Sequence, residues 1–444
     1  MTNSLKVTRT AGLLLALSAA PVAFATWSIV LCDERTKEVA IASATCLLNF
    51  DLQRNLPVVL VEVGAAAAQS QVDTLARNRI RIRDQFLLGT APADMLPILA
   101  MFDGLHQNRQ YGIVDTQGRA ATFTGTGAGA FAEGVIGQVG DITYAIQGNV
   151  ITGMEVISAA EDAVINTDGD IPAKLMAAME AARSFGGDGR CSCSNNMPTS
   201  CGAPPAGGFV RSAHIAFYIV SRRGDTDDIC ASIGCARGDY FMNFNIITPV
   251  PAVDPVIQLQ GQFDAFRAAT VGQTDQVQST VAFRRLLPPS AAFSDTLRIE
   301  LRDWAGDAIT GSPTVEVLSD PRDGSGLISA GAVQSLGNGV YEVAISSSDT
   351  PGFDRIAVRV TDGEFDRILT PSHDVIIQPH GDMNGDAFLT VSDLGPFVTA
   401  LTMPKEYALQ HPEVVASIVG DFNDDNVLTM GDIGGFVTAL IATQ

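Results

Sequence analysis

The sequence predicts an α+β protein in three parts: two antiparallel sheets packed together between two helical layers, a small β-sandwich, and a duplicated acidic loop that leads into a helix. Three observations predict it. Strand-like and helix-like runs form segregated blocks over residues 26–247, which favours stacked layers over βαβ winding. A proline-rich stretch, Pro249-Val250-Pro251-Ala252-Val253-Asp254-Pro255, then gives way to strongly alternating runs. Finally, Asp382–Asp393 is repeated 39 residues later as Asp421–Asp432.

A chain of 444 residues is too long for one typical domain, and 46% hydrophobic with 17% charged residues excludes wholesale disorder. The formal net charge of −21 repels nucleic acid and anionic lipid, so neither is expected as a partner. No stretch approaches the length of a membrane span.

Residues 1–25 have the organisation of a cleaved secretory signal. Lys6 and Arg9 precede the apolar run Ala11–Ala20, and Ala23-Phe24-Ala25 is a small-x-small cleavage site. The expected destination is outside the cytoplasm: secreted, periplasmic or at the cell surface. Cleavage after Ala25 makes Thr26 the first residue. Its α-amine titrates near ~8 and lies within reach of its own hydroxyl, directly or through one water. The pair forms a nucleophile with a built-in base.

From Thr26 the elements follow in order. Trp27–Cys32 and Glu38–Thr45 are strands around the turn Glu34-Arg35-Thr36-Lys37, and Pro57–Val63 is a third apolar run ending in Gly64 and several alanines. Gln71–Leu88 reads as a helix with Val72, Leu75, Ile80 and Phe86 on one side and Arg77, Arg79, Arg81 and Arg83 as a solvated face; Pro92 opens a second helix through Phe102. Strands return at Tyr111–Val114, Arg119–Thr124 and Asp141–Gln147. Gly125, Gly127 and Gly129 mark a flexible turn rather than a phosphate loop. Helices over Gly153–Ile165 and Ile171–Phe185 and strands at His214–Val220 and Tyr240–Ile247 complete the domain, 26–248.

Seven cysteines in an exported chain permit disulfides but leave at least one unpaired. A hairpin about residues 34–37 puts Cys32 opposite about residue 39 and on the order of 20 Å from Cys46, too far for a bridge. Cys191, Cys193, Cys201, Cys230 and Cys235 crowd one loop-rich region. Their spacing favours disulfides over a zinc site.

Several stretches carry a family resemblance: Thr26-Trp27-Ser28-Ile29-Val30, Val39-Ala40-Ile41-Ala42-Ser43, Gly112–Arg119, Phe123-Thr124-Gly125, Ile146-Gln147-Gly148-Asn149 and Ala181–Asp188. Colinear over 26–247, they resemble the domain of unknown function 1028, a family placed with the N-terminal nucleophile (Ntn) hydrolases. The resemblance implies a four-layer αββα sandwich with Thr26 presented at the start of the first strand. Ser43 is then a candidate to steady the amine or the Thr26 hydroxyl, and Gln147 or Asn149 to donate to an oxyanion; a strand hydrogen bond is the plainer role for each. The chain departs from the family in having Ala44 and Thr45 where a basic residue commonly follows the serine, and in an insertion from about Cys191 to Arg211.

After the linker at 249–255, residues 256–378 alternate as a small immunoglobulin-like β-sandwich: Ile356, Val358 and Val360 face one way, Arg355, Ala357 and Arg359 the other. No catalytic cluster occurs in it, and a spacer or binding module is expected.

Residues 379–444 hold the duplication. Asp382, Asn384, Asp386, Thr390 and Asp393 recur as Asp421, Asn423, Asp425, Thr429 and Asp432, with Phe388 and Val427 offering backbone carbonyls. These are oxygen ligands at loop positions 1, 3, 5, 9, 12 and 7, the set calcium requires. With Asp at position 12 and no entering helix evident, the pair resembles a dockerin, which implies two Ca2+ ions and a cohesin-type protein or surface partner. Ala387 stands at position 6, where a left-handed backbone is expected, and Asn426 tolerates that conformation better.

The favoured expectation is an exported amidohydrolase that cleaves an unidentified amide or peptide with Thr26 as nucleophile. The competing one is a non-catalytic surface or assembly protein that keeps the fold and docks through its C-terminal repeat.

Overall fold

The computed structural model describes residues 26–363 and 365–443. The secretory signal expected over 1–25 lies outside the described residues.

The first domain is built on two antiparallel sheets. Its strands are β1 (Thr26–Asp33), β2 (Val39–Thr45), β3 (Pro57–Leu60), β4 (Gly64–Ser70), β5 (Arg109–Asp115), β6 (Ala120–Thr124), β7 (Ala132–Val139), β8 (Ile142–Asn149), β9 (Ile215–Ser221), the short ribbon β10 (Thr226–Asp227) with β11 (Gly238–Asp239), and β12 (Met242–Ile246). One sheet has the order β12-β9-β2-β1-β8-β7 and the other β3-β4-β5-β6. Besides the short α1 (Leu52–Asn55) and α6 (Gly189–Ser192), the helices are α2 (Arg77–Leu87), α3 (Pro92–Phe102), α4 (Glu155–Asn166), α5 (Ile171–Ser184) and α7 (Pro255–Ala269).

Strand alternation assigns the layers. Trp27, Ile29 and Leu31 of β1 pack beneath α4, α5 and α7, whereas Val30 and Cys32 face the second sheet at Val59, Ala65, Ala67 and Val114. On β4, Ala66 and Ala68 turn the other way, towards Ile82 and Phe86 of α2 and Met95 and Leu99 of α3. The alanine run is therefore a strand buried on both faces. A central strand covered on both sides shows no apolar–polar alternation, and its small side chains let the sheets approach closely.

Two readings of the sequence are corrected here, and one strand that it did not reveal is added. The helix expected over 71–88 begins only at Arg77; Leu75 is exposed, and Arg79 is buried, its guanidinium donating to the carbonyls of Arg54 and Asp73. The arginine spacing is thus not a uniformly solvated face. Strand β7, a half-exposed edge diluted by Gly134 and Gly137, has no sequence signal of its own. The second correction concerns the linker. Asp254 is buried, accepts from Ser212 N and Oγ (2.6 and 2.8 Å), and caps α7, whose Val256, Leu259 and Phe263 join the first core. Residues 255–269 therefore finish the first domain and do not start the sandwich. Prolines at 249, 251 and 255 mimic a linker because the last one occupies a first helical turn.

The expected hairpin is present, with Cys32 paired to Val39 in register and Cys32 the free cysteine among the described residues. Burial raises its thiol far above the ordinary range, leaving it an inert core residue. Disulfides join Cys46–Cys191, Cys193–Cys201 and Cys230–Cys235.

Beyond α7, two sheets enclose a core of Leu297, Ile299, Val317, Val343, Ile345, Ile356, Val358, Val360 and Val375. Ile356, Val358 and Val360 point inward as their alternation requires, though Ala357 is buried as well. Arg223 anchors this unit to the first domain through a two-pronged contact with Asp320 (2.8 Å each). The C-terminal repeat packs Met383, Phe397, Phe436 and Leu440 against Leu286 and Ile376 at the edge of the sandwich.

Candidate functional site

The sheet order puts β1 between β2 and β8, which gathers the four candidate residues from the first domain. Thr26 is opposite Asn149, and Ser28 is opposite both Ser43 and Gln147. Directly opposed residues share a face, and Thr26 and Ser28 are two apart, so all four project towards the second sheet at the end where β1 begins. The inter-sheet space is apolar around Val30 and Cys32 and polar around Thr26 and Ser28.

Two glutamines from β4 and β5, which the sequence reading did not single out, complete the polar band. Gln110 Nε2 faces the carbonyls of Glu133 (3.0 Å) and Gly148 (2.9 Å), which fixes it as the donor end of that amide. Its Oε1 accepts from Gln69 Nε2 at 2.7 Å, and Gln69 Nε2 also donates to the Thr26 carbonyl at 3.2 Å. Gln69 Oε1 is thereby turned to Ser28, whose hydroxyl proton it shares with Ser43 Oγ (3.0 Å). Ser43 in turn donates to the Trp27 carbonyl at 2.7 Å. Donor and acceptor sense runs one way through the network, so the Thr26 carbonyl is held by the Gln69 amide and the Trp27 carbonyl by the Ser43 hydroxyl. Ser43 steadies the strand at Trp27.

Asn149 donates to the Ala128 carbonyl at 3.0 Å. Gln147 is different: neither its Nε2 nor its Oε1 has a hydrogen-bond partner among the described residues, although it is buried. It fits because β5 carries glycine opposite it. A β-carbon on Gly112 would stand 1.8 Å from Gln147 Oε1. We expect Gly112→Ala to cost about 1–3 kcal/mol in urea unfolding, and Gly112→Ala with Gln147→Ala to recover part of that loss. Additive costs would mean that the two residues do not share this space.

Thr26 itself is 2% exposed in the full-length chain, where its nitrogen is a peptide amide and carries no base. Clefts at the domain junctions, of about 310 Å3 beside Arg267 and Trp304 and about 390 Å3 beside Arg284 and His380, do not include it.

The cysteine region shows one grouping of metal-ligand type, Cys46, Cys191 and His214. The two sulfurs are bonded to each other, so the group is a covalent staple, in line with the disulfide reading.

The C-terminal loops share most of their hydrogen bonds. Asp393 Oδ1 accepts from Met383 N (2.7 Å) and Asn384 N (3.0 Å), and Oδ2 from Thr390 N (2.8 Å). Asp432 repeats this with Phe422 N, Asn423 N and Thr429 N. Asp382 receives Gly385 N, Asp386 N and Ala387 N, and Asp421 receives Asp425 N and Asn426 N. Each loop is thus wrapped around its first and twelfth carboxylates. Burial, together with the neighbouring Asp393 and Asp386, raises the Asp382 carboxyl above its ordinary range, a repulsion that a bound divalent cation relieves. The donors, all oxygen, fit calcium. A strand, His373–Ile377, precedes the first loop, but a helical turn, Ala416–Val419, leads into the second, so one entering helix does exist.

Position 6 adopts the left-handed backbone in both loops, with φ 72° at Ala387 and 66° at Asn426. Ala387→Gly should therefore stabilise the first loop by about 1 kcal/mol, read as a higher melting temperature of the full chain in calcium. No gain would mean that the loop relaxes this strain elsewhere.

Residues 26–200 match the family model "Family of unknown function (DUF1028)". None of the curated proteins matches the chain. Among solved structures, protein SPO2555 from Silicibacter pomeroyi, which carries the same family label, is 19% identical, with 54% of this chain and 88% of that one covered at a TM-score of 0.40. The adhesin InvE of Yersinia pseudotuberculosis is 21% identical over 23% of this chain and 26% of its own, at a TM-score of 0.19. A Lin-41 filamin domain is 14% identical over 24% of this chain and 96% of its own, at 0.18.

Proposed function

We propose that residues 26–269 form an Ntn-type amidohydrolase of αββα architecture, made competent outside the cytoplasm by cleavage between Ala25 and Thr26. The observation that carries this reading is the convergence of Thr26, Ser43, Gln147 and Asn149 on one face of three adjacent strands, braced by the Gln69–Gln110 relay. After cleavage, the Thr26 amine takes the hydroxyl proton as Oγ1 attacks the amide carbonyl, and returns it to the leaving nitrogen. Gln147 has donor capacity to spare for the tetrahedral oxyanion, whereas Asn149 Nδ2 is committed to Ala128. The acyl-enzyme ester is then hydrolysed by water, with the same amine as base.

The C-terminal repeat is proposed as a dockerin-like module that binds two calcium ions and docks a cohesin-type or surface partner. A second reading, a non-catalytic assembly protein, is favoured by the burial of Thr26. N-terminal sequencing and intact mass of the exported chain, with a hydroxyl-directed electrophile added in parallel, separate the two. A start at Thr26 carrying the label supports the hydrolase. A start elsewhere removes the base and leaves the docking protein.

A further inference from the structure

Residues 125–131 pass from one sheet to the other at the end where β1 begins. The loop leaves β6 of the second sheet and enters β7 of the first, whose Ala132 opposes Asn149, which in turn opposes Thr26. Its base is fixed, with Gly125 N donating to the Arg109 carbonyl (2.9 Å) and Gly127 N to the Gln107 carbonyl (2.7 Å). Its tip is held through the Ala128 carbonyl, which accepts from Ser70 Oγ of β4 (3.2 Å) and from Asn149 Nδ2 of β8 (3.0 Å). One group is therefore pinned to both sheets. Ala128 is 1% exposed, whereas Thr126, Gly127, Gly129, Ala130 and Phe131 are all exposed. Directly opposed side chains on one face of an antiparallel pair stand about 4.5–5.5 Å apart, so the carbonyl that Asn149 holds is beside the Thr26 side chain. The backbone here is also bent against preference. Gly129 has φ 105°, and Phe131, the last residue before β7, has φ 39°, a region a bulky side chain rarely enters. Strain of this kind gathers at segments that switch.

We propose that residues 125–131 are a gate on the Thr26 site, in which the Ala128 carbonyl occupies the Asn149 amide that a substrate carbonyl takes once the loop swings out. This rests on the hydrolase reading above. The exchange is like for like, one amide carbonyl replacing another on the same donor. Opening therefore costs a buried hydrogen bond in the free protein and recovers it when substrate is present. The free protein stays closed, and an amide shifts it open. In the open form Asn149 Nδ2 joins Gln147 in facing the oxyanion. The moving part is 128–131, hinged at Gly127, where the ties to Gln107 end, and at the strained Phe131.

The test uses the exported chain beginning at Thr26 and a β-lactone, which Thr26 Oγ1 opens to form an ester while the ring oxygen leaves as a hydroxyl. Ser70→Ala removes one tie from the Ala128 carbonyl and touches none of the groups that act on substrate. It should speed acylation of Thr26 about fivefold, the worth of one neutral hydrogen bond. Gly129→Ala places a β-carbon at φ 105°, disfavours the closed loop and should speed acylation too. Acylation of the wild type should also raise hydrogen exchange over 125–131, and the lactone should leave that exchange unchanged in Thr26→Ala. A faster rate in either variant together with the raised exchange supports the gate. Exchange that acylation leaves unchanged overturns it, as does a failure of both variants to label faster; with label at Thr26, either result leaves the nucleophile standing. Absence of label at Thr26 in every variant removes the gate and the hydrolase reading together.

Discussion

Thr26→Ala in the exported chain is expected to abolish covalent labelling and to lower any amidase rate on the order of 10^4–10^6-fold, the scale seen when a nucleophile is removed from an acyl-transfer site. The alanine keeps the α-amine, the strand register with Asn149 and the braced carbonyl, so the loss isolates the hydroxyl. Thr26→Ser restores a nucleophile at the same place and should recover much of the rate. The wild-type rate should climb as pH rises through the amine's pKa near ~8, because the unprotonated amine is the base. A Thr26→Ala protein as active as wild type would end the proposal. So would a rate indifferent to pH in that window, taken with an unlabelled Thr26.

The second large effect is expected at Asp393. Its side chain is fully buried and takes three backbone N–H groups, so Asp393→Ala strands three donors at once and should cost about 3–5 kcal/mol. A purely structural carboxylate would produce that loss with or without calcium. Calcium binding adds a second signature: the wild-type module should melt at a higher temperature in calcium than in EDTA, and Asp393→Ala should lose that difference. Asp386→Ala provides the milder comparison. Asp386 is exposed and accepts from Phe388 N at 3.0 Å, so its removal should spare the fold while weakening calcium binding by roughly 100-fold. If the wild type melts identically in calcium and EDTA, the loops are closed by their own hydrogen bonds and bind no ion of consequence.

How far the sequence reached differs from element to element. The register of the β1–β2 hairpin was legible, with its strand ends within one residue, because a tight polar turn between alternating runs sets Cys32 opposite Val39 and so excludes a Cys32–Cys46 bridge. The helices opening at Pro92 and Ile171 were legible from proline at a first turn. The alanine strand β4 was not, since a strand covered on both faces loses the alternation that marks it. Edge strand β7 was diluted by two glycines. At 249–255, the composition of a linker concealed a helix cap, because Asp254 and Pro255 have the same appearance in either role.

The candidate site divides along the same line. Thr26 could be singled out as a candidate from the chain alone, since an expected cleavage site and the residue after it are a local pattern. The paired loops could be named too, with every oxygen donor supplied within twelve consecutive positions. Gln69 and Gln110 could not. Each is an ordinary polar residue in its own neighbourhood and gains meaning only from strand order: β4 and β5 bring the glutamines across the inter-sheet gap. Sequence by itself determined the elements and the chemistry of contiguous motifs, because those depend on neighbours a few residues apart. Only the tertiary structure decided which distant side chains share the space around Thr26, because that follows from sheet order and from the burial that makes an unpaired polar group too costly to leave to chance.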